Sequence, residues 1–205
     1  MTLRKTVLYV IVFVSGAVVL SLEILASRVL QPKFGSSVYV WGSLIAVFMG
    51  GLATGYYVGG QLSDRQASFA RFGLLLFISA VLVAFIPLCS TPIRDMIFRR
   101  LGMESVERLG PLLTSLVLFL IPTTALGTIS PYAVRLLADD PSKLGRQVGS
   151  LYALSTVGSI AGTLGTTFFL IVWLHTPLAL FLLGAIQAVL ACLAVGYGLS
   201  TKPTH

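Results

Sequence analysis

The chain has 205 residues, 56% hydrophobic and only 10% charged, with a mean hydropathy of +0.95. Soluble domains carry roughly a quarter charged residues, so this composition excludes an ordinary soluble protein and predicts an all-α, polytopic membrane protein. The net charge of +7 comes from Lys and Arg scattered through short loops, which fits orientation in a lipid bilayer and contacts with anionic headgroups, not nucleic-acid binding.

Crossing a bilayer takes about twenty apolar residues, and six such runs are present. The first follows Arg4 and Lys5, and its Ser15-Gly16-Ala17 resembles a signal-peptide cleavage site. The apolar run continues well past that point, so a retained span over residues 6–30 is expected. Inside it lies Glu23. A carboxylate at membrane depth costs about 2.5 kcal/mol or more and needs a partner, a proton or a cation. It sits roughly 10 Å from the end of the span at about 1.5 Å per residue. A direct pair with Arg28 is awkward, because five positions turn about 140° around a helix. Glu23 is therefore a candidate cation or proton site, with a structural bridge to another polar group as the alternative. Pro32 and Gly35 are expected to break the chain after this span.

The second span is expected over residues 38–60. Tyr39 and Trp41 stand near its start, as interface-belt aromatics or as a cation–π wall. Gly51, Gly55 and Gly59, with Gly42 and Gly50 nearby, have the spacing that lets helix backbones approach closely. The same spacing would suit a rocking element of a transporter. Asp64 and Arg65 follow as a loop clamp.

A third span is expected over residues 72–89. Residues 92–108 carry Ile93, Met96, Ile97 and Leu101 at helical spacing, which predicts an amphipathic connector lying on the membrane surface. The fourth span, residues 111–137, contains Pro122 and Pro131 with Thr123, Thr124, Gly127, Thr128 and Ser130 between them. Proline removes a backbone donor, so this is read as a packing kink or as the broken helix of a midplane site. Tyr132 adds an aromatic, and Arg135 reads as a headgroup anchor. Pro141 and Gly145 are expected to end the segment.

The fifth span, residues 148–174, repeats the small-residue pattern with Gly158, Gly162 and Gly165. Tyr152, Ser155 and Ser159 share one face of it, turned toward the bundle interior as packing or as cavity lining. The connection His175-Thr176-Pro177 is so short that the sixth span, residues 177–199, should form an antiparallel hairpin with the fifth. Cys89 and Cys192 read as small hydrophobes. His175 and His205 are isolated near segment ends, so neither a metal site nor a catalytic constellation is indicated, and no cofactor is expected.

Lys and Arg in the loops suggest the topology. One side holds Arg4, Lys5, Arg65, Arg71, Arg135, Lys143, Arg146 and Lys202; the other holds Arg28, Lys33, Arg94, Arg99, Arg100 and Arg108. The excess favours both termini on the cytoplasmic side of an inner membrane.

Several motifs then stand out together. Leu22-Glu23-Ile24-Leu25-Ala26-Ser27-Arg28, Pro32 and Phe34-Gly35-Ser36-Ser37-Val38-Tyr39-Val40-Trp41-Gly42 form one. Gly50-Gly51-Leu52-Ala53-Thr54-Gly55-Tyr56-Tyr57, Ser130-Pro131-Tyr132-Ala133-Val134-Arg135 and the run from Gly149 to Thr163 complete the set. Taken in this order they resemble the membrane portion of the fused major-facilitator/spermidine synthase family. In that family such a bundle precedes a cytoplasmic domain that moves an aminopropyl group onto putrescine. The present sequence contains no segment resembling that domain, so no enzyme activity is expected of it. The six spans also resemble half of a major-facilitator transporter, built from three-plus-three inverted repeats. Gly60-Gln61-Leu62-Ser63-Asp64-Arg65 fits that superfamily's Gly-x-x-x-Asp-Arg loop.

The resemblance implies a transporter-like module for a polyamine-like cation, working as a homodimer. Glu23, Tyr39, Trp41, Tyr132, Tyr152, Ser155 and Ser159 would meet the substrate. Arg28, Gly51, Gly55, Gly59, Asp64, Arg65, Pro122, Pro131, Arg135, Gly158 and Gly162 would serve structure or gating. The alternative is a non-transporting membrane scaffold that recruits a separate spermidine-synthase-like protein.

Overall fold

The computed structural model describes residues 3–101, 103–138 and 144–200, with side chains except at 66, 103 and 104. The expectations for Pro141, Lys143, Lys202 and His205 lie outside the described residues. The elements are α1 (Leu3–Phe34), α2 (Val38–Gln66), α3 (Phe69–Arg100), α4 (Met103–Gly127), α5 (Ile129–Leu137), α6 (Leu144–Gly165), a π-helical turn (Thr166–Leu170), α7 (Ile171–Trp173) and α8 (Thr176–Ser200). Among the described residues, six segments are long and apolar enough to cross a membrane, with α4–α5 and α6–α7 each forming one. The protein is an all-α, six-span membrane protein.

Helix ends follow backbone chemistry more closely than the proline positions did. Pro32 does not break α1, which runs on to Phe34. The stop is Gly35, with φ of 67° and its N–H bonded to the Gln31 carbonyl at 2.9 Å. Glycine enters this left-handed conformation without a Cβ penalty, so it ends the helix where Pro32 only removes a donor. At the start of α3, the Ser68 hydroxyl accepts the Arg71 N–H.

Residues 92–108 are not a separate surface helix. Residues 92–100 are the last turns of α3, continuous through Pro87 and Pro92, and the chain turns at Leu101 before α4. The helical repeat was read correctly but its apolar face was assigned to lipid. Part of that face turns to the end of α1 instead: Ile97 is buried while Met96 is exposed, and the Phe98 ring lies 6.2 Å from that of Phe34.

The fourth span is interrupted at Thr128, not at either proline. Thr128 N–H bonds Ala125 at 3.2 Å, a tighter turn than the α-helix on either side. Pro122 lies within α4. Pro131 falls in the first turn of α5, where helix N–H groups have no partner of their own segment to lose. The hydroxyls of Thr123 and Thr124 fold back onto carbonyls four residues earlier, at 2.6 and 2.8 Å.

The spans associate as three principal pairs: α1 with α6, α2 with α4, and α3 with α8. The predicted hairpin of the last two spans is therefore not a packed pair. The turn at His175 is short, yet α6 docks on α1 while α8 docks on α3 and α1. Half of the most apolar window of α1 is buried, against 11% of that of the fifth span. The fourth span is buried to 56%, so the core sits on α1 and the fourth span together, and α6 is the outlying helix.

Candidate functional site

The two glycine-rich spans hold backbones together. A Cβ on Gly158 or Gly162 would strike the carbonyls of Phe13 and Ala17, and one on Gly16 would strike that of Ser155. On the other side, Gly51, Gly55 and Gly59 face Thr123, Thr124, Gly127, Thr128 and Pro131 at distances no β-carbon tolerates. Small residues thus replace the hydrophobic drive that lipid cannot supply. Two hydroxyls reinforce the α1–α6 seam, Ser159 donating to the Gly16 carbonyl and Ser21 to that of Gly162, both at 3.1 Å.

Among the described residues α2 and α6 do not pack closely on one another, and a groove opens between them, walled also by α1, α4 and α5. At its inner part is a cavity of about 70 Å³ whose polar lining is Ser15, Tyr56, Ser130, Ser155 and Ser159. Tyr152 is exposed on α6. A second cavity of about 190 Å³ lies between the end of α1 and the start of α2, lined by Ser27, Arg28, Gln31, Ser36 and Trp41 and by no residue of α6.

Glu23 lies between the two. Leu20 lines the first cavity and Ser27 the second, and Glu23 shares their face of α1 by its three- and four-residue spacing. It is part-exposed. Among the described residues it makes no hydrogen bond, and the ion pairs formed are Lys33–Asp95, Arg94–Asp95 and Arg135–Asp64. The Arg28 pairing judged awkward from sequence is not made. Both cavities fall below the roughly 300 Å³ of a small-molecule site. The first has room for a few waters only.

The predicted site residues divide accordingly. Ser155 and Ser159 line the first cavity and Arg28 and Trp41 the second, while Glu23 and Tyr152 line neither. Tyr39 is exposed at the start of α2 and lines neither cavity. Tyr132 belongs to the core: 1% exposed, it stacks on Phe72 at 5.6 Å, and its hydroxyl accepts the Ser68 N–H at 3.2 Å. It clamps the α2–α3 turn and does not face the groove. Asp64 pairs across to Arg135 at 3.9 Å, so the loop clamp joins α2 to α5 and is not a contact with its neighbour Arg65.

Sequence reasoning missed Gln187. It is fully buried on α8, and its Nε2 donates to the hydroxyls of Ser15 and Ser79, each at 3.3 Å. The signal was available, since Gln187 is the one amide in an otherwise apolar sixth span. The π-helical turn at Thr166, which is buried, had no such signal.

Among the described residues no three His, Cys, Asp or Glu side chains gather as a metal site. Comparison with known proteins finds no matching family model, curated protein or solved structure.

Proposed function

We propose that this protein is one half of a transporter-like unit, whose groove between α2 and α6 forms one wall of a path for a polyamine-like cation. The observation that carries this reading is Glu23. It is an acidic side chain at membrane depth, without a partner among the described residues, on the open face of α1 between two polar cavities. An unpaired carboxylate there is costly unless a proton or cation joins it.

The order of helix pairing supports the half-facilitator architecture. Numbering the spans in chain order, the pairs are first with fifth, second with fourth, and third with sixth. Exchanging the first three spans for the last three turns this set into itself, as a three-plus-three repeat requires. The glycines obey the same exchange. Those of the second span pack on the fourth, and those of the fifth pack on the first.

Half a facilitator presents only one wall of a pathway, so a second wall is needed, and a twofold copy of the chain is the simplest source. The excess of Lys and Arg on the N-terminal side supports an inner-membrane unit with both termini cytoplasmic. In proteoliposomes under a proton or sodium gradient, the protein should move labelled spermidine or putrescine. Glu23→Gln should lower the rate at least tenfold with an unchanged melting temperature. No movement under any gradient, with Glu23→Gln altering stability alone, would sink the proposal. Capture of a stoichiometric synthase-like enzyme by such an inactive protein would favour the scaffold reading instead.

A further inference from the structure

At the end of the bundle that holds the N-terminus, away from the groove, Arg65 and Arg71 line a hollow of about 350 Å³ with Leu62, Leu74, Leu75 and Tyr132. Arg65 is the last residue of the second span, and Arg71 lies in the first turn of the third. Both guanidinium groups therefore stand at headgroup depth. Asp64, the neighbouring acid, is turned to Arg135 and does not line the hollow.

Leu74 also lines a second, larger groove of about 580 Å³ between α3 and α8, whose lining is almost wholly apolar and includes Phe77, Cys192, Val195, Gly196 and Leu199. Gly196 leaves it open, since a Cβ there would meet nothing within 4 Å. The groove follows α8 from Leu199 to Ala191, a length of about 12 Å at roughly 1.5 Å per residue. A paired-arginine hollow at the interface thus meets, over one side chain, an apolar trough directed into the membrane.

We infer that this composite surface is a binding site for one anionic diacyl phospholipid, its phosphate between Arg65 and Arg71 and an acyl chain along the α3–α8 trough. The charge sign selects an anionic lipid. A free phosphate would satisfy the arginines but leave the trough uncovered. Arginine near a membrane surface strengthens anionic-lipid binding by about fivefold per residue.

The test uses the full chain in detergent, with bound lipid counted by native mass spectrometry during titration with phosphatidylglycerol, phosphatidylcholine or inorganic phosphate. Phosphatidylglycerol should be retained one per chain and raise the melting temperature, while phosphatidylcholine should do neither. Arg65→Gln should weaken retention about fivefold. Arg71 makes a further contact within the chain, so its contribution is read from Arg71→Lys, which keeps the charge and should keep the lipid. Leu74→Trp should weaken retention with both arginines intact. Equal protection by inorganic phosphate, equal retention of phosphatidylcholine, or an equal loss from Arg99→Gln at the other end of the bundle would overturn the assignment.

Discussion

The side-chain amide of Gln187 on α8 donates to the hydroxyl of Ser15 on α1 across 3.3 Å, and it reaches Ser79 on α3 at the same distance. Three helices distant in sequence are thereby tied at one buried point. Ser15 also lines the inner cavity of the groove, so the knot fixes the α1 side of the cavity that Ser155 and Ser159 line from α6. Each interhelical hydrogen bond in a membrane contributes about 0.6 kcal/mol, whereas loss of a buried side chain of this size leaves a void costing roughly 2–5 kcal/mol. Packing should therefore dominate. Gln187→Ala is expected to destabilise the bundle by about 2–4 kcal/mol, and Gln187→Met, which refills the space, by about 1 kcal/mol. Reversible unfolding in mixed micelles measures both. An Ala variant as stable as the Met variant would show that the amide is not a packing element.

Adjacent glycines provide an internal control for the seams. A Cβ on Gly59 would lie 2.6 Å from Thr128 backbone atoms, whereas one on Gly60 would meet nothing within 4 Å. Gly158 and Gly149 form the same contrast on α6. Alanine at an open helical position gains about 1 kcal/mol over glycine, so Gly60→Ala and Gly149→Ala should be neutral or stabilising. Gly59→Ala and Gly158→Ala force packed backbones apart and should cost roughly 1–3 kcal/mol. Melting temperatures of the four variants test this, and equal behaviour within either pair would contradict the close approach.

These contrasts also mark what could be read in advance. Span number and the glycine faces follow from composition and helical period, which reflect one chain's local chemistry. Partner choice does not. Nothing in residues 148–199 reveals that the fifth and sixth spans part to either side of α1, because lipid and a neighbouring helix reward the same apolar surface. The same ambiguity sent residues 92–100 to the membrane surface and Tyr132 to the substrate path. Glu23 was legible because a carboxylate among apolar residues has few solutions, and Gln187 should have been read by the same rule.

Asp64 and Arg135 meet at 3.9 Å with side chains 79% and 54% exposed. Exposed pairs of this kind contribute about 0–1 kcal/mol and weaken with salt. A double-mutant cycle with Asp64→Asn and Arg135→Gln should give a coupling below about 1 kcal/mol, smaller still in 1 M salt. A coupling of several kcal/mol, insensitive to salt, would mean that the pair is buried by lipid or by a second chain.

Arg94 holds the opposite end of the bundle. Its Nη1 donates to the Val29 carbonyl at 2.9 Å, and its Nε lies 3.7 Å from Asp95, with only 12% of the side chain exposed. Lys33 approaches Asp95 at 3.6 Å and covers the Phe98 ring at 5.2 Å. The last turns of α1 and α3 are thus clasped by one hydrogen bond from the guanidinium to Val29, while Asp95, its neighbour on α3, lies at ion-pair distance without a hydrogen bond. A positive charge near the C-terminal end of α1 also favours the helix dipole. A hydrogen bond to a charged group contributes about 1.5–3 kcal/mol, so Arg94→Ala should destabilise by about 2 kcal/mol. Arg94→Lys should recover little, because an ammonium on an unforked stem does not reproduce the Nη1 geometry that meets the Val29 carbonyl. Asp95→Asn should cost less than about 1 kcal/mol, since Asp95 is 32% exposed and partly hydrated. Full rescue by lysine would show that charge alone holds this end, whereas the ranking Ala and Lys well below Asn would establish the clasp.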